Sequence, residues 1–215
     1  FAARFDRRDY GIDVQHIYGA GDLHIESGAL AARQNQTLDT TIFLPAGLPP
    51  IATSVDQTGR QLVLYSYAYV NPLPSLTVTG GVSLDHIDNA YADEDAANPK
   101  LGITWRPTPR TTVRAAAFET LFGSLTTSKA NVQPRLEPVQ VVGFTQLLFG
   151  GGTDRSSVRG VSVDHELSPN LFTGWQAETR DMERLSVVLG TNLTVPFKQQ
   201  ERSQRAYVYW LPTAQ

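Results

Sequence analysis

Asn98-Pro99-Lys100-Leu101-Gly102-Ile103-Thr104-Trp105-Arg106-Pro107-Thr108-Pro109-Arg110-Thr111-Thr112-Val113-Arg114-Ala115-Ala116-Ala117-Phe118 is the stretch that decides the fold class. From Leu101 the side chains alternate: Leu101, Ile103 and Trp105 on one face, Gly102, Thr104 and Arg106 on the other, which is the two-residue period of a strand. Pro107 and Pro109 have no N–H to give a ladder, so residues 107–110 read as a tight turn. Beyond the turn Val113, Ala115 and Ala117 oppose Thr112, Arg114 and Ala116, with Phe118 falling on the polar side. The pattern predicts two antiparallel strands with one apolar and one charged face.

The same unit repeats along the chain. Gly19-Ala20-Gly21-Asp22, Asn71-Pro72-Leu73-Pro74 and Ser168-Pro169-Asn170 are further short turns, with Pro212-Thr213 closing the last strand. Between them lie polar stretches, about 34–59, 88–98, 121–137 and 184–202, that read as long connections. Short and long connections alternate, as they must in an up-and-down meander where each kind occupies its own rim. Strands are expected at about 12–18, 22–33, 60–70, 75–87, 99–106, 111–120, 156–166, 171–182 and 203–211. Segment 138–148 also has strand character, but inserting it would break the up-and-down parity, so it belongs to a long external connection or pairs within 121–131. Gly81-Val82-Ser83-Leu84-Asp85-His86 and Gly160-Val161-Ser162-Val163-Asp164-His165 are near copies on strands of opposite direction, which calls for similar two-faced surroundings rather than a structural repeat.

The fold class is therefore all-β, an antiparallel up-and-down meander, and the composition suits part of a transmembrane β-barrel. Such a strand needs only about 9–11 residues with every second one apolar. Mean hydropathy is -0.22, and charged residues are 18% of the 215-residue chain, below the roughly 25% usual in soluble domains. In 62–69, Val63, Tyr65, Tyr67 and Tyr69 form an aromatic face, assigned to lipid. Aromatic residues cluster near the short turns, where a ring can sit in the apolar layer with its polar atom hydrated. Tyr65, Tyr67, Tyr69, Trp105, Trp175, Tyr207, Tyr209 and Trp210 are the expected lipid-interface aromatics. Leu171, Thr173, Trp175 and Ala177 oppose Phe172, Gly174, Gln176 and Glu178, and by the same alternation Asp85, Arg106, Arg114, Asp164, Gln176, Glu178 and Arg180 are the candidate pore-lining residues. The competing reading is a soluble all-β ligand-binding module, which would bury the apolar face instead.

Other functions lack their signatures. A net charge of -3 with no basic run predicts no nucleic-acid partner. The chain has no cysteine, which removes disulfides, thiolate metal sites and thiol nucleophiles. His16 and His24 flank a turn and could face each other, but no further ligands are at hand, and the acidic 93–95 stretch lacks calcium-loop spacing. Gly150-Gly151-Gly152 lacks the Lys-Ser/Thr of a phosphate loop, and no Gly-x-Ser-x-Gly nucleophile elbow occurs. Asn35-Gln36-Thr37 and Asn192-Leu193-Thr194 match the glycosylation triplet without carrying weight. No cofactor, no metal and no enzymatic activity are expected.

Residues 98–118 resemble the strand-turn-strand signature of TonB-dependent receptor barrels, in which a Pro-Lys-x-Gly strand, here Pro99 to Gly102, leads through a proline turn. Leu136-Glu137-Pro138 sits where that family carries Leu-x-Pro-Glu, and together with Gly143-Phe144-Thr145-Gln146 it is similar to the porin-like barrels fused to tetratricopeptide repeats in Gram-negative bacteria. The resemblance covers about residues 60–212. It implies an outer-membrane location, a large antiparallel barrel, and transport or secretion of a solute or exported polymer, with membrane lipid around it and a periplasmic partner. No plug, TonB-interacting box or helical repeat lies within the stretch, which starts at Phe1 and reads as a fragment, so flanking strands are expected.

Overall fold

A computed structural model describes residues 2–45, 48–89, 92–123, 136–147, 153–187 and 194–212. Nine long strands make one sheet: β1 (Ala2–Ala20), β2 (Leu23–Ile42), β3 (Ile51–Leu73), β4 (Leu76–Asn89), β5 (Ala92–Thr108), β6 (Thr111–Gly123), β9 (Thr153–Ser168), β10 (Leu171–Val187) and β11 (Thr194–Trp210). Between β6 and β9 lie two short strands, β7 (Gln140–Val141) and β8 (Phe144–Thr145), which pair only with each other. The sheet order is β1-β2-β3-β4-β5-β6-β9-β10-β11, and every pairing is antiparallel. This is the expected meander. Segment 138–148 adds no wall strand, so the parity is kept; its partner is its own hairpin rather than 121–131, most of which lies outside the described residues, as do Gly150-Gly151-Gly152 and Asn192.

The strands are far longer than alternation alone indicated. β2 and β3 pair without a break from Leu23↔Val70 to Ile42↔Ile51, so most of the expected connection at 34–59 is ladder. Likewise β4 and β5 pair out to Asn89↔Ala92, which turns the expected acidic loop at 93–95 into strand. One face of the β2–β3 extension is polar, with Asn35, Thr37, Asp39, Ser54, Asp56 and Thr58, and the other carries only the separated apolar pairs Leu38↔Val55 and Ile42↔Ile51. Cross-strand pairs sustain the extensions instead, Thr37 donating to Asp56 at 2.6 Å, Ser54 to Asp39 at 2.6 Å, and His86 bonding Asp95 at 2.9 Å.

Proline shapes the middle of the sheet. The β5–β6 ladder begins at Lys100↔Phe118, immediately after Pro99, which has no N–H to donate. Above that level β6 pairs only with β9, out to Gly123↔Thr153.

Register decides which side chains share a face, because directly paired residues of an antiparallel ladder point the same way. One face carries Leu62, Leu64, Leu84, Leu101, Ile103, Trp105, Val161, Val163 and Trp175, all exposed. The other carries Ser83, Asp85, Asn98 and Lys100, all buried. Val63 pairs with Asp85 and Tyr65 with Ser83, so the aromatic face of β3 lies on the polar side. Val63, Tyr65 and Tyr67 are buried there with Leu30, and Tyr69 packs against them. The sequence reading put the aromatic row and Asp85 on opposite faces, and this is corrected: Val63, Tyr65, Tyr67 and Tyr69 share the face on which Asp85 lies. The opposite face of β3 is made by Leu62, Leu64, Ser66, Ala68 and Val70.

Candidate functional site

The polar face holds a connected set of side chains and a hairpin docked on them. Asp85 accepts from Ser83 Oγ at 2.8 Å and from Asn98 Nδ2 at 2.6 Å, and Lys100 Nζ donates to the Glu119 carbonyl. Burial of Asp85, Asn98 and Lys100 is sustained by these bonds, since an unpaired buried charge costs several kcal/mol. On β6, β9 and β11, Arg114 pairs with Asp164, which also accepts from Tyr207. Arg180 reaches Glu178 at 3.0 Å.

Residues 136–147 cross this face from one side of the sheet to the other. At the β1 end, Gln15 donates to the Leu136 carbonyl at 2.9 Å, and the Leu136 N–H donates to Asp13 at 2.7 Å. In the middle, Tyr67 donates to Glu137 at 2.7 Å, while Gln146 Nε2 donates to the Tyr67 hydroxyl at 3.0 Å and to the Pro138 carbonyl at 2.6 Å. At the β10 end, Arg180 donates to the carbonyls of Thr145 at 3.0 Å and Leu147 at 3.3 Å.

An apolar contact lies under the hairpin. Val141 and Phe144 pack on Ala116, Phe118 and Val158 of the wall, all five buried. Phe118, out of pattern in the sequence, points inward because the hairpin gives it a dry neighbour. Glycine makes room for the contact: a Cβ on Gly102 would come within 2.7 Å of Val142, and one on Gly160 would overlap the Phe144 ring. The two-residue turn places Val142 at φ 44 and Gly143 at φ 98, the left-handed pair that closes tight hairpins.

Asp85, Arg106, Arg114, Asp164, Gln176, Glu178 and Arg180 all fall on the polar face by register and alternation. They form separate clusters: Asp85 with Asn98, Arg114 with Asp164, and Arg180 and Glu178 under the hairpin; Gln176 receives a 3.4 Å contact from Arg205, and Arg106 is exposed near the Pro109–Arg110 turn. A cavity of about 510 Å³ opens between Arg114, Asp164, Gln176, Arg205 and Tyr207 and the hairpin turn at Gly143.

The aromatic candidates split. Trp105 and Trp175 share the apolar row Trp105–Val113–Val163–Trp175, and Trp210 pairs with Leu171. Tyr65, Tyr67 and Tyr69 lie on the polar face, and so does Tyr207, directly opposite Gly174 and bonded to Asp164; Tyr209 follows Tyr207 by alternation. Period alone cannot tell the two faces of an aromatic strand apart. Residues missed from the sequence are Lys100, Asn98, Glu137 and Gln146. A Lys and an Asn flanking Pro99 within one strand were the available signal for the first two.

The histidines do not converge. His16 pairs with Ser27 and His24 with Gly19, which puts the two rings on opposite faces, against the expectation that they could meet. His24 bonds Glu26 and His165 bonds Thr111, each at 3.0 Å.

No curated protein matches the chain in sequence. The family model for the TonB dependent receptor-like β-barrel matches residues 2–144, beginning earlier and ending earlier than the sequence resemblance indicated. Among solved structures, the FrpB iron transporter of Neisseria meningitidis aligns with TM-score 0.65 and 11% identity over 98% of this chain and 35% of its own. The ferripyoverdine receptor of the Pseudomonas aeruginosa outer membrane aligns with TM-score 0.62 and 13% identity over 99% and 31%. The ferric-catecholate import receptor Fiu of E. coli K12 aligns with TM-score 0.60 and 12% identity over 98% and 36%. The chain thus spans about a third of the length of these structures, and at such identities they speak for the fold. With a nine-stranded meander, two chemically opposite faces and the family match over the first two thirds of its length, the chain belongs to the TonB-dependent-receptor-like β-barrel family.

Proposed function

We propose that this chain is a wall segment of an outer-membrane barrel through which a solute is moved, with its polar face toward the lumen and its apolar face toward lipid. The single observation that supports this most is the sorting of side chains by register. Asp85, Lys100, Arg114, Asp164 and Arg180 share a face with a docked hairpin, while Leu101, Ile103, Val161 and Val163 are exposed on the other. Open edges in hydrocarbon leave backbone groups unsatisfied, so β1 and β11 each require a further strand, as in the large plugged barrels of outer-membrane transporters. The seven polar candidates are lumen-facing in this reading, and hairpin 136–147 narrows the passage beside them. Trp105, Trp175 and Trp210 are the interface aromatics, on the half of the wall nearest the short turns, which lies at the periplasmic side where an energising partner would act. No covalent chemistry is assigned.

Site-directed spin labelling of the full-length protein in phospholipid vesicles tests the reading. Labels at Leu101→Cys and Ile103→Cys should be relaxed by oxygen and shielded from a water-soluble nickel chelate, and labels at Arg106→Cys and Gln176→Cys should show the reverse. Free access of the chelate to position 103 would remove the membrane assignment.

A further inference from the structure

We propose that the outward face of β6, β9, β10 and β11 is a docking surface for a second copy of this chain, related by a two-fold axis along the membrane normal between β9 and β10. The proposal rests on the membrane reading above and takes this flank out of lipid contact. Register builds two outward rows here, Ala117–Arg159–Thr179–Arg202 and, one step farther from the short turns, Glu119–Ser157–Asp181–Gln200. Glu119, Arg159, Asp181 and Arg202 are all exposed. The arginine row lies two rows above that of Trp105 and Trp175. At ~3.4 Å per residue and a tilt near 40° this is roughly 10 Å, whereas the apolar band of an outer-membrane wall is about 25 Å tall. The arginines therefore stand at the depth of the hydrocarbon, where unpaired charge is costly. On β3 and β5 the first outward charges, Arg60 and Asp95, lie farther from their own turns at Leu73 and Thr108.

The pattern of charge selects the occupant. An isologous interface brings the same patch of both subunits together, and rotation about this axis lays β9 against the partner's β10 and β6 against the partner's β11. Arg159 on β9 then meets the partner's Asp181, Glu119 on β6 meets the partner's Arg202, and each contact is made twice. The next row obeys the same rule, with Arg155 on β9 and Glu183 on β10, although Arg155 also reaches Glu94 at 3.3 Å. Height agrees too: Glu119, Arg159, Asp181 and Arg202 are each about nine to eleven residues from Arg110, Pro169, Asn170 and Leu211 at the short-turn rim, within roughly 5 Å of one level. Opposite signs on the two sides of one axis are what a second copy requires and what lipid does not. Among the described residues Arg159, Arg202 and the Glu119 carboxylate make no side-chain hydrogen bond or ion pair, and Asp181 accepts one bond, from Gln200 at 2.6 Å. Small side chains let the two walls approach. Ala115, Ala117, Ala177 and Thr179 line a depression of about 460 Å³, and the axis sets the exposed Val161 of each copy on the partner's Ala177.

Disulfide trapping across the axis tests the proposal. The full-length protein with Thr179→Cys would be reconstituted at high dilution in phosphatidylcholine vesicles and oxidised with copper phenanthroline, with Leu64→Cys on the outward face of β3 as the control. T179C should cross-link to a species of twice the mass, and L64C should not. Adding R159E to T179C sets like charge against the partner's Asp181 and should lower the cross-linked fraction roughly tenfold. R159E/D181R exchanges the two charges, restores opposite signs and should recover it. Heat-modifiable gel mobility confines the comparison to folded barrels. Folded T179C that stays monomeric in the vesicles leaves the face to lipid and would overturn the dimer while the membrane reading stands. So would a cross-linked fraction that R159E leaves unchanged or that R159E/D181R fails to recover. Cross-linking of T179C in whole cells to a polypeptide of another mass would give the face to a different protein and likewise overturn the dimer. Protein that remains in the aqueous phase, apart from the vesicles, would overturn both.

Discussion

Replacing Phe144 by Ala should undock the hairpin without unfolding the wall. Phe144 is buried against Ala116, Phe118 and Val158, with the backbone of Gly160 beneath its ring. Truncating a buried Phe costs about 3–5 kcal/mol, lost apolar transfer and the cavity together. What would still hold the segment are the six hydrogen bonds it makes with Asp13, Gln15, Tyr67 and Arg180, each contributing about 1 kcal/mol net. The loss from one ring is therefore comparable with everything the hydrogen bonds supply. Local opening is read by amide exchange at Gln146, whose N–H bonds the Val139 carbonyl at 2.9 Å. A loss of about 3 kcal/mol accelerates exchange there roughly 150-fold, while the amides of Val161 and Val163 in the paired wall should keep their protection. Unchanged exchange at Gln146 would refute the idea that the apolar contact fastens the hairpin. Acceleration of hairpin and wall together would refute its independence from the sheet.

Three further outcomes follow from the two-faced wall. Ile103→Arg, in the middle of the apolar rows, should cost about 2–4 kcal/mol in urea unfolding from vesicles, whereas Gln176→Arg on the polar face should cost less than about 1 kcal/mol; equal losses would mean that the faces do not differ. Asn98→Ala removes a donor from the buried Asp85 carboxylate and should lower stability by about 1–3 kcal/mol, an amount seen as a shift of the urea midpoint that Asn98→Asp does not repair. Asp164→Asn breaks the pair with Arg114, whose side chains are 32% and 26% exposed. Because solvent screens the pair, the midpoint should move by no more than about 1 kcal/mol, and a loss of several kcal/mol would show Arg114 to be stranded without water.

Much of the wall was legible before any coordinates. Proline and glycine turns together with two-residue alternation marked nine strands and their order, because the chain turns at Pro109 and Pro169, with only an irregular ladder past Pro107, and because a half-apolar strand must alternate. The parity argument correctly kept 138–148 out of the wall. Where alternation stopped, reading stopped: residues 34–42 and 51–59 are strand because hydrogen bonding along an existing ladder continues after the hydrophobic requirement ends. The sequence by itself determined that each strand has two unlike faces, since that is written in the residue types. Which face of β3 points inward was decided only by the tertiary structure. Tyr65 and Tyr67 suit lipid or lumen equally well until pairing places them beside Ser83 and Gly81, on the Asp85 side, with Glu137 and Gln146 above them. Register and the docking of a distant hairpin are long-range facts, and no local pattern of side chains encodes them.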